Sequence, residues 1–203
     1  MALSRGAGVR RAVGRLGFVS ALCGLAAVVF IALGWGGLIF MIAVVVVPAW
    51  AVSVFLCAAS IVLAVIDGRT RAKAQGREVL RKTPRPYGFA AYALVSLAAV
   101  GCVFAVLGDV VYGATYTVLT PVAPNGCTAV VRETSFFNTG EGEVHAVHPS
   151  GLGWRTSSWT ADDGARPVED GLYELSWNAG GSLEISGDGQ NPVWPNLHDV
   201  NCL

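Results

Sequence analysis

The side chains best able to do chemistry in this chain crowd into its last 91 residues. All three histidines, His145, His148 and His198, lie there, with 11 of the 14 Asp and Glu residues, among them Glu141 and Glu143. Three imidazoles and a set of carboxylates are the raw material of a zinc site, which needs three or four such groups within about 2 Å of one point. His145, His148 and His198 are therefore the candidate metal ligands, and a metal-assisted extracytoplasmic enzyme is the alternative function they would serve. The spacing argues against it. His145 and His148 stand three apart in a segment that reads as a strand, which sends the two rings to opposite faces. Surface or edge histidines are the plainer expectation, and no cofactor is expected.

Other chemistry is sought in vain. Asp162-Asp163-Gly164 and Asp188-Gly189-Gln190-Asn191 group oxygen ligands of the kind calcium uses, but lack the length and spacing of a calcium loop and read as turns. The chain has no glycine-rich phosphate loop, no Gly-x-Ser-x-Gly elbow and no Cys-x-x-Cys pair. No residue qualifies as catalytic, so a non-enzymatic role is the expectation.

The cysteines and tryptophans say more. Cys23, Cys57 and Cys102 sit in apolar runs, where a lone thiol behaves as a small hydrophobe. Cys127 and Cys202 bracket most of the polar half, and a pair so placed is expected to form a disulfide in an oxidising compartment. Trp154, Trp159, Trp177 and Trp194 share that half. Tryptophan serves both carbohydrate stacking and protein hot spots. Trp154, Trp159 and Trp194 are the candidate binding residues, with at least two of the four tryptophans expected in the core.

The elements that must position these groups follow from charge and hydropathy. Residues 1–112 carry 11 Lys/Arg against Asp67, Glu78 and Asp109, whereas residues 113–203 carry 3 Arg against 11 acidic residues. The formal net charge of zero thus conceals two oppositely charged halves. Basic residues that flank apolar runs fit an anionic membrane surface rather than nucleic acid. From Leu16 to Ile66 no residue is charged or histidine. As one helix this run would extend about 75 Å, more than twice a hydrocarbon core of about 30 Å. It must fold back, and Gly34-Trp35-Gly36-Gly37 is the best break, with Val47-Pro48 second. The first span is expected near 16–34 and the second near 38–66, tilted or kinked at Pro48. The third run, Tyr87–Leu107, is rich in Ala and Gly, yet its Leu, Val and Phe residues give about −3 to −5 kcal/mol of insertion free energy.

Three membrane helices follow, a hairpin (16–66) plus one (87–112). The N-terminus (1–15) and the 67–86 loop hold all 11 basic residues of that half, and the positive-inside rule places both in the cytoplasm. The third helix then carries 113–203 outward, the side that the cysteine pair requires. The expected location is the plasma membrane, multi-pass, of a cell whose Ala/Val/Gly/Arg-rich usage suits a high-GC bacterium. Arg10-Arg11 lacks the context of a twin-arginine signal, and Cys102 that of a lipidated cysteine.

Beyond Ala114 the pattern turns to short alternating runs. Tyr173–Trp177 and Ser182–Ser186 read as a β-hairpin about Asn178-Ala179-Gly180-Gly181, Thr128–Phe137 and Glu143–His148 as another about residues 138–142, Trp154–Thr160 as a strand, and Val193–Val200 as an edge broken by prolines. The expected product is a small antiparallel β-sandwich or open barrel. Ser20, Ser53, Ser60 and Ser96 are the hydroxyls at membrane depth, expected to bond to their own helices, and the want of ionisable groups there argues against a coupled transporter. Gly17-x-x-x-Ala21 and Gly101-x-x-x-Ala105 offer close helix contacts. The functional expectation is an anchored extracytoplasmic binding or interaction module, or an accessory subunit, whose partners are the lipid bilayer and a membrane or envelope protein or polymer.

Overall fold

The structure is a computed structural model that describes residues 3–79, 88–177 and 180–202. Arg81, Lys82 and Arg85 of the basic segment and Asn178 and Ala179 of the expected turn lie outside the described residues, as do the side chains of the N-terminal arginines. The chain divides into two units, Met1–Ala32 with Trp50–Val103, and Leu33–Ala49 with Phe104–Leu203.

The first unit is helical. It is built from most of α1 (Leu3–Trp35), α2 (Ala49–Val79) and α3 (Gly88–Val111), the C-terminal ends of α1 and α3, from Leu33 and from Phe104, belonging to the second unit. Leu16–Trp35, Ala49–Thr70 and Phe89–Val111 are each long and apolar enough to cross a membrane. Small residues let the helices approach: a Cβ on Gly101 would stand 2.7 Å from Ile31 Cγ2, so any larger residue there would force Ile31 to move. This closeness overturns the expectation that the buried serines bond within their own helices. Ser20 Oγ donates to the Ser60 carbonyl (2.9 Å) and Ser60 Oγ to the Ser20 carbonyl (2.8 Å), while Ser53 Oγ donates to the carbonyl of Ala27 (3.1 Å). The α2 helix also runs past the expected end of its span at Ile66, because eight of the residues Asp67–Val79 are strong helix formers, three Arg, two Ala, one Lys, one Gln and one Glu.

Two helix ends share one device. Gly37 (φ +89°) and Gly113 (φ +57°) occupy left-handed positions just past α1 and α3. Leu38 N–H bonds the Leu33 carbonyl (3.0 Å) and Gly37 N–H the Gly34 carbonyl (2.9 Å); Ala114 and Gly113 repeat this on Asp109 and Val110 (2.8 and 3.3 Å). This paired closure stops each helix on a glycine.

The second unit is a nearly closed barrel of largely antiparallel strands with a smaller sheet against it. Its strands are β1 (Ile39–Ile42), β2 (Val45–Pro48), β3 (Thr115–Val118), β4 (Thr128–Phe136), β5 (Thr139–Val147), β6 (Leu152–Asp162), β7 (Tyr173–Ser176), β8 (Ser182–Ile185), β9 (Val193–Trp194) and β10 (Leu197–Asp199). The large sheet runs β2-β1-β6-β5-β4-β3 with β9 also on β6, and the small one β10-β8-β7.

The strands β1 and β2 correct the expectation that the second span starts near residue 38. Ile39 and Phe40 pair with Gly153 and Leu152, and Ile39–Ile42 pairs with Val45–Pro48, so the connection between the first two helices belongs to the β unit. The run Ile39–Pro48 is wholly apolar and dense in Ile and Val, and hydropathy cannot separate such a strand pair from the start of a span. Both expected break points are therefore real, and the hairpin lies between them.

The β4–β5 connection is also shorter than expected. Phe137 and Asn138 alone lie between the strands, and Thr139–Gly142 continue the ladder. Gly140 and Gly142 resemble loop residues but are strand positions under close approach: a Cβ on Gly142 would strike the Trp159 ring, and one on Gly140 the Ala165 carbonyl. The Val193–Val200 segment serves both sheets, with Trp194 opposite Thr160 and His198 opposite Leu183.

Alternation along β4 buries both faces. Ala129 and Val131 join a core with Val144, Trp159, Ala161, Leu183, Ile185 and Val200, whereas Val130 packs with Ile39 and Val147 on the other side. Cys127 and Cys202 lie at disulfide distance beside the first of these cores, their Cα atoms 5.9 Å apart.

Candidate functional site

The four tryptophans separate by position. Trp159 is 2 % exposed at the centre of the core, and Trp177 packs against that core while its Nε1–H donates to the Pro121 carbonyl (2.7 Å). Trp154 is exposed on β6. Trp194 is 77 % exposed, an unusual position for so large an apolar ring.

Trp194 gains its position from two short pairings. The β9 strand is held by two registered pairs on β6, and Thr160 Oγ1 donates to the Trp194 carbonyl (3.4 Å). Val193 turns inward to the core, which obliges its neighbour to face out. Beside the ring lies an open groove of about 640 Å³. Thr160, Asp162, Ser186 and Asn196 offer polar side chains to it, and Ile185, Pro192 and Val193 its apolar floor. One wall is the Asp188 turn, where the carboxylate accepts N–H groups from Gln190 and Asn191 (2.9 and 2.8 Å) and is held below its ordinary pKa by them. That turn explains the oxygen cluster noted in the sequence.

A second cluster was not anticipated. On the Val130 side of the sheet, Arg132 Nη2 meets Asp109 Oδ1 (2.7 Å) and its Nη1 meets Glu143 Oε2 (3.3 Å), while Arg155 Nη1 meets Glu143 Oε1 (2.6 Å). Tyr116 Oη donates to Asp109 Oδ2 (3.3 Å). Burial opposes the charge of Arg132, but Asp109, Tyr116 and Glu143 outweigh it and raise its pKa, while burial and then Asp109 raise that of Tyr116. The chain of charges joins the last turn of α3 to three strands. The rarity of arginine beyond residue 112 was the available signal: all three, Arg132, Arg155 and Arg166, are in ion pairs.

Glu133, on the opposite face, is fully buried. Its two carboxylate oxygens accept N–H groups from Val168 (2.9 Å) and Glu169 (2.8 Å), which pins the 165–171 turn onto the sheet. Burial raises its pKa although both backbone donors oppose the rise.

The structure does not bring the three histidines together. His145 is buried on β5 beside Glu143, Arg132 and Arg155 and, chiefly through burial, its pKa falls to about 4. His198 is buried on β10, where burial lowers its pKa against the opposing effect of the Pro195 backbone. His148 is exposed past the end of β5 and bonds Ser150 (3.1 Å). Among the described residues no three His, Cys, Asp or Glu side chains converge as a metal site would require. Comparisons with protein-family models, with curated proteins and with solved structures find no match.

Proposed function

We propose that this protein is a membrane-anchored binding module whose β-rich unit stands on the extracytoplasmic side and takes a polyhydroxylated polymer of the cell envelope in the groove beside Trp194. The observation that carries the reading is the exposed Trp194 ring at the edge of a polar-rimmed groove. Sugar rings present an apolar face to an aromatic ring and hydroxyls to neighbouring polar groups, and Thr160, Asp162, Ser186 and Asn196 are suited to the latter. The apolar stretches of α1, α2 and α3 support the anchor, the basic residues flanking them support a cytoplasmic N-terminus and 67–86 segment, and the Cys127–Cys202 pair supports an oxidising outer space.

Topology is tested by single cysteines at positions 72 and 150, both exposed, in a background without Cys23, Cys57 and Cys102. An impermeant reagent added to intact cells should label position 150 and leave position 72 untouched; the reverse pattern refutes the orientation. Binding is tested by titrating the detergent-solubilised full chain with soluble fragments of envelope polysaccharide. Trp194→Ala should weaken binding by about tenfold or more, as loss of a stacked anchor residue costs 1.4 kcal/mol or more. Equal affinity of the variant and the parent, or no binding by the parent, removes the groove as the site.

A further inference from the structure

We infer that the tip of the β4–β5 hairpin, Phe136-Phe137, inserts into the lipid interface beside the outer end of α3. The inference rests on the membrane reading of α3 given above. The candidate span ends at Val111, two residues past the ion-paired Asp109 of its last turn, so Tyr112, the next residue, lies in the interfacial headgroup layer. The hairpin tip is fastened to that residue. Ser135 N–H donates to the Tyr112 carbonyl (2.9 Å), the Phe136 ring stands edge-on to the Tyr112 ring at 4.9 Å, and the Phe137 ring stands edge-on to Phe136 at 4.4 Å. Whatever depth Tyr112 has, the Phe136 ring lies within 4.9 Å of its ring and the Phe137 ring within a further 4.4 Å.

The chemistry of the tip agrees. Phe137 is 84 % exposed and Phe136 is also exposed, beside the exposed Val110 and Val111 of the helix end. In water this would be a contiguous apolar patch with no purpose; at the acyl boundary it is buried by lipid. Phe137 also holds φ +51°, a left-handed conformation that glycine or asparagine takes without strain and a bulky aromatic residue does not. A phenylalanine kept there against its backbone preference marks the ring itself as the useful part. Asp162, opposite Thr139 in the ladder, and Asp163 beyond it are exposed carboxylates one step back from the tip, so the insertion is shallow and leaves them in headgroup water.

The test uses the full chain in phosphatidylcholine vesicles, with a nitroxide label placed singly at 137, 138, 110 or 150 in the background without the three free cysteines. Collisional relaxation by oxygen, which concentrates in lipid, is compared with that by a polar nickel complex, which does not. Positions 137 and 110 should be accessible to oxygen and several-fold less accessible to nickel than position 150, and position 138 should follow 137 if the Phe137→Cys change disturbs the turn. Nickel access at 137 and 138 with protection at 110 overturns the inference and leaves the membrane reading of α3 standing. Protection at 137 and 138 from both reagents overturns it in favour of a protein partner or second copy on the tip. Nickel access at 110 as well overturns both readings.

Discussion

Replacing Cys127 and Cys202 together by alanine is expected to lower the unfolding free energy of the β-rich unit by about 4 kcal/mol, the value that the chain-entropy model gives for closing a loop of this length. The two residues are separated by 75 positions, and the strands β4 to β10 all lie between them. Such a link removes many of the open conformations otherwise available to the unfolded segment. Whole-domain stabilities of about 5–15 kcal/mol make this a large fraction of the total. Cys127 is 1 % exposed, so alanine avoids burying a hydroxyl there and isolates the effect of the link. The measurement is a denaturant titration of the full chain in detergent, followed by near-ultraviolet circular dichroism, with parent protein in reductant as a second arm. Midpoints that coincide in all three samples would show that the pair contributes nothing.

The second large effect is on acid stability, through His145. The group is 1 % exposed and its pKa is lowered to about 4, chiefly by burial, which outweighs the opposing Glu143, with Arg132 and Arg155 adding smaller effects in the same direction as burial. The sign follows from linkage. A folded-state pKa below the unfolded value of about 6.5 means that the unfolded chain takes up the proton first. The stabilisation is therefore complete above about pH 6.5 and is lost as the pH falls toward 4. A difference of about 2.5 units corresponds to about 3 kcal/mol. Denaturant titrations at pH 7.5, 6, 5 and 4 should show the parent losing that much more stability than His145→Gln, which cannot titrate. Parallel pH dependences of the two proteins would exclude His145 as the responsible group. His198 acts in the same direction and remains in both proteins, so it does not blur the comparison.

Long-period features were legible in the sequence and short-range competitions were not. Three apolar helices, the antiparallel strands Tyr173–Ser176 and Ser182–Ile185, and the proximity of Cys127 to Cys202 all follow from runs or spacings that admit few alternatives. Ile39–Pro48 was misread because a strand buried by its neighbours and the start of a span share one composition, and only pairing with Leu152 and Gly153 separates them. Gly140 and Gly142 were misread because their reason for being glycine, the Trp159 ring and the Ala165 carbonyl, comes from elsewhere in the chain. The serines were misread because a hydroxyl bonds whichever carbonyl packing brings nearest.

At the candidate site, tryptophan content was visible but its sorting was not. Trp159 and Trp194 sit on neighbouring strands, one 2 % and the other 77 % exposed, and the difference depends on which side of the sheet each register position faces. The ion network from Asp109 to Arg155 was equally hidden. Its members are 46 positions apart in sequence and meet only when the end of α3 is placed against β4.

The pairing of β1 with β6 has a consequence for the order of events during synthesis. Residues 39–48 leave the ribosome about 100 residues ahead of Leu152 and Gly153, their partners in the sheet. At about 5–20 residues per second, that is a delay of roughly 5–20 s. Throughout it, a wholly apolar hairpin has been made and its neighbouring strand has not. The barrel therefore cannot mature from its first residue to its last, and no contiguous fragment beginning after the third helix contains all of its staves. A fragment beginning at residue 113 would leave the Leu152–Gly153 edge bare, ready to recruit a foreign strand, so recombinant work on residues 113–203 alone would study a different object from the one this chain makes.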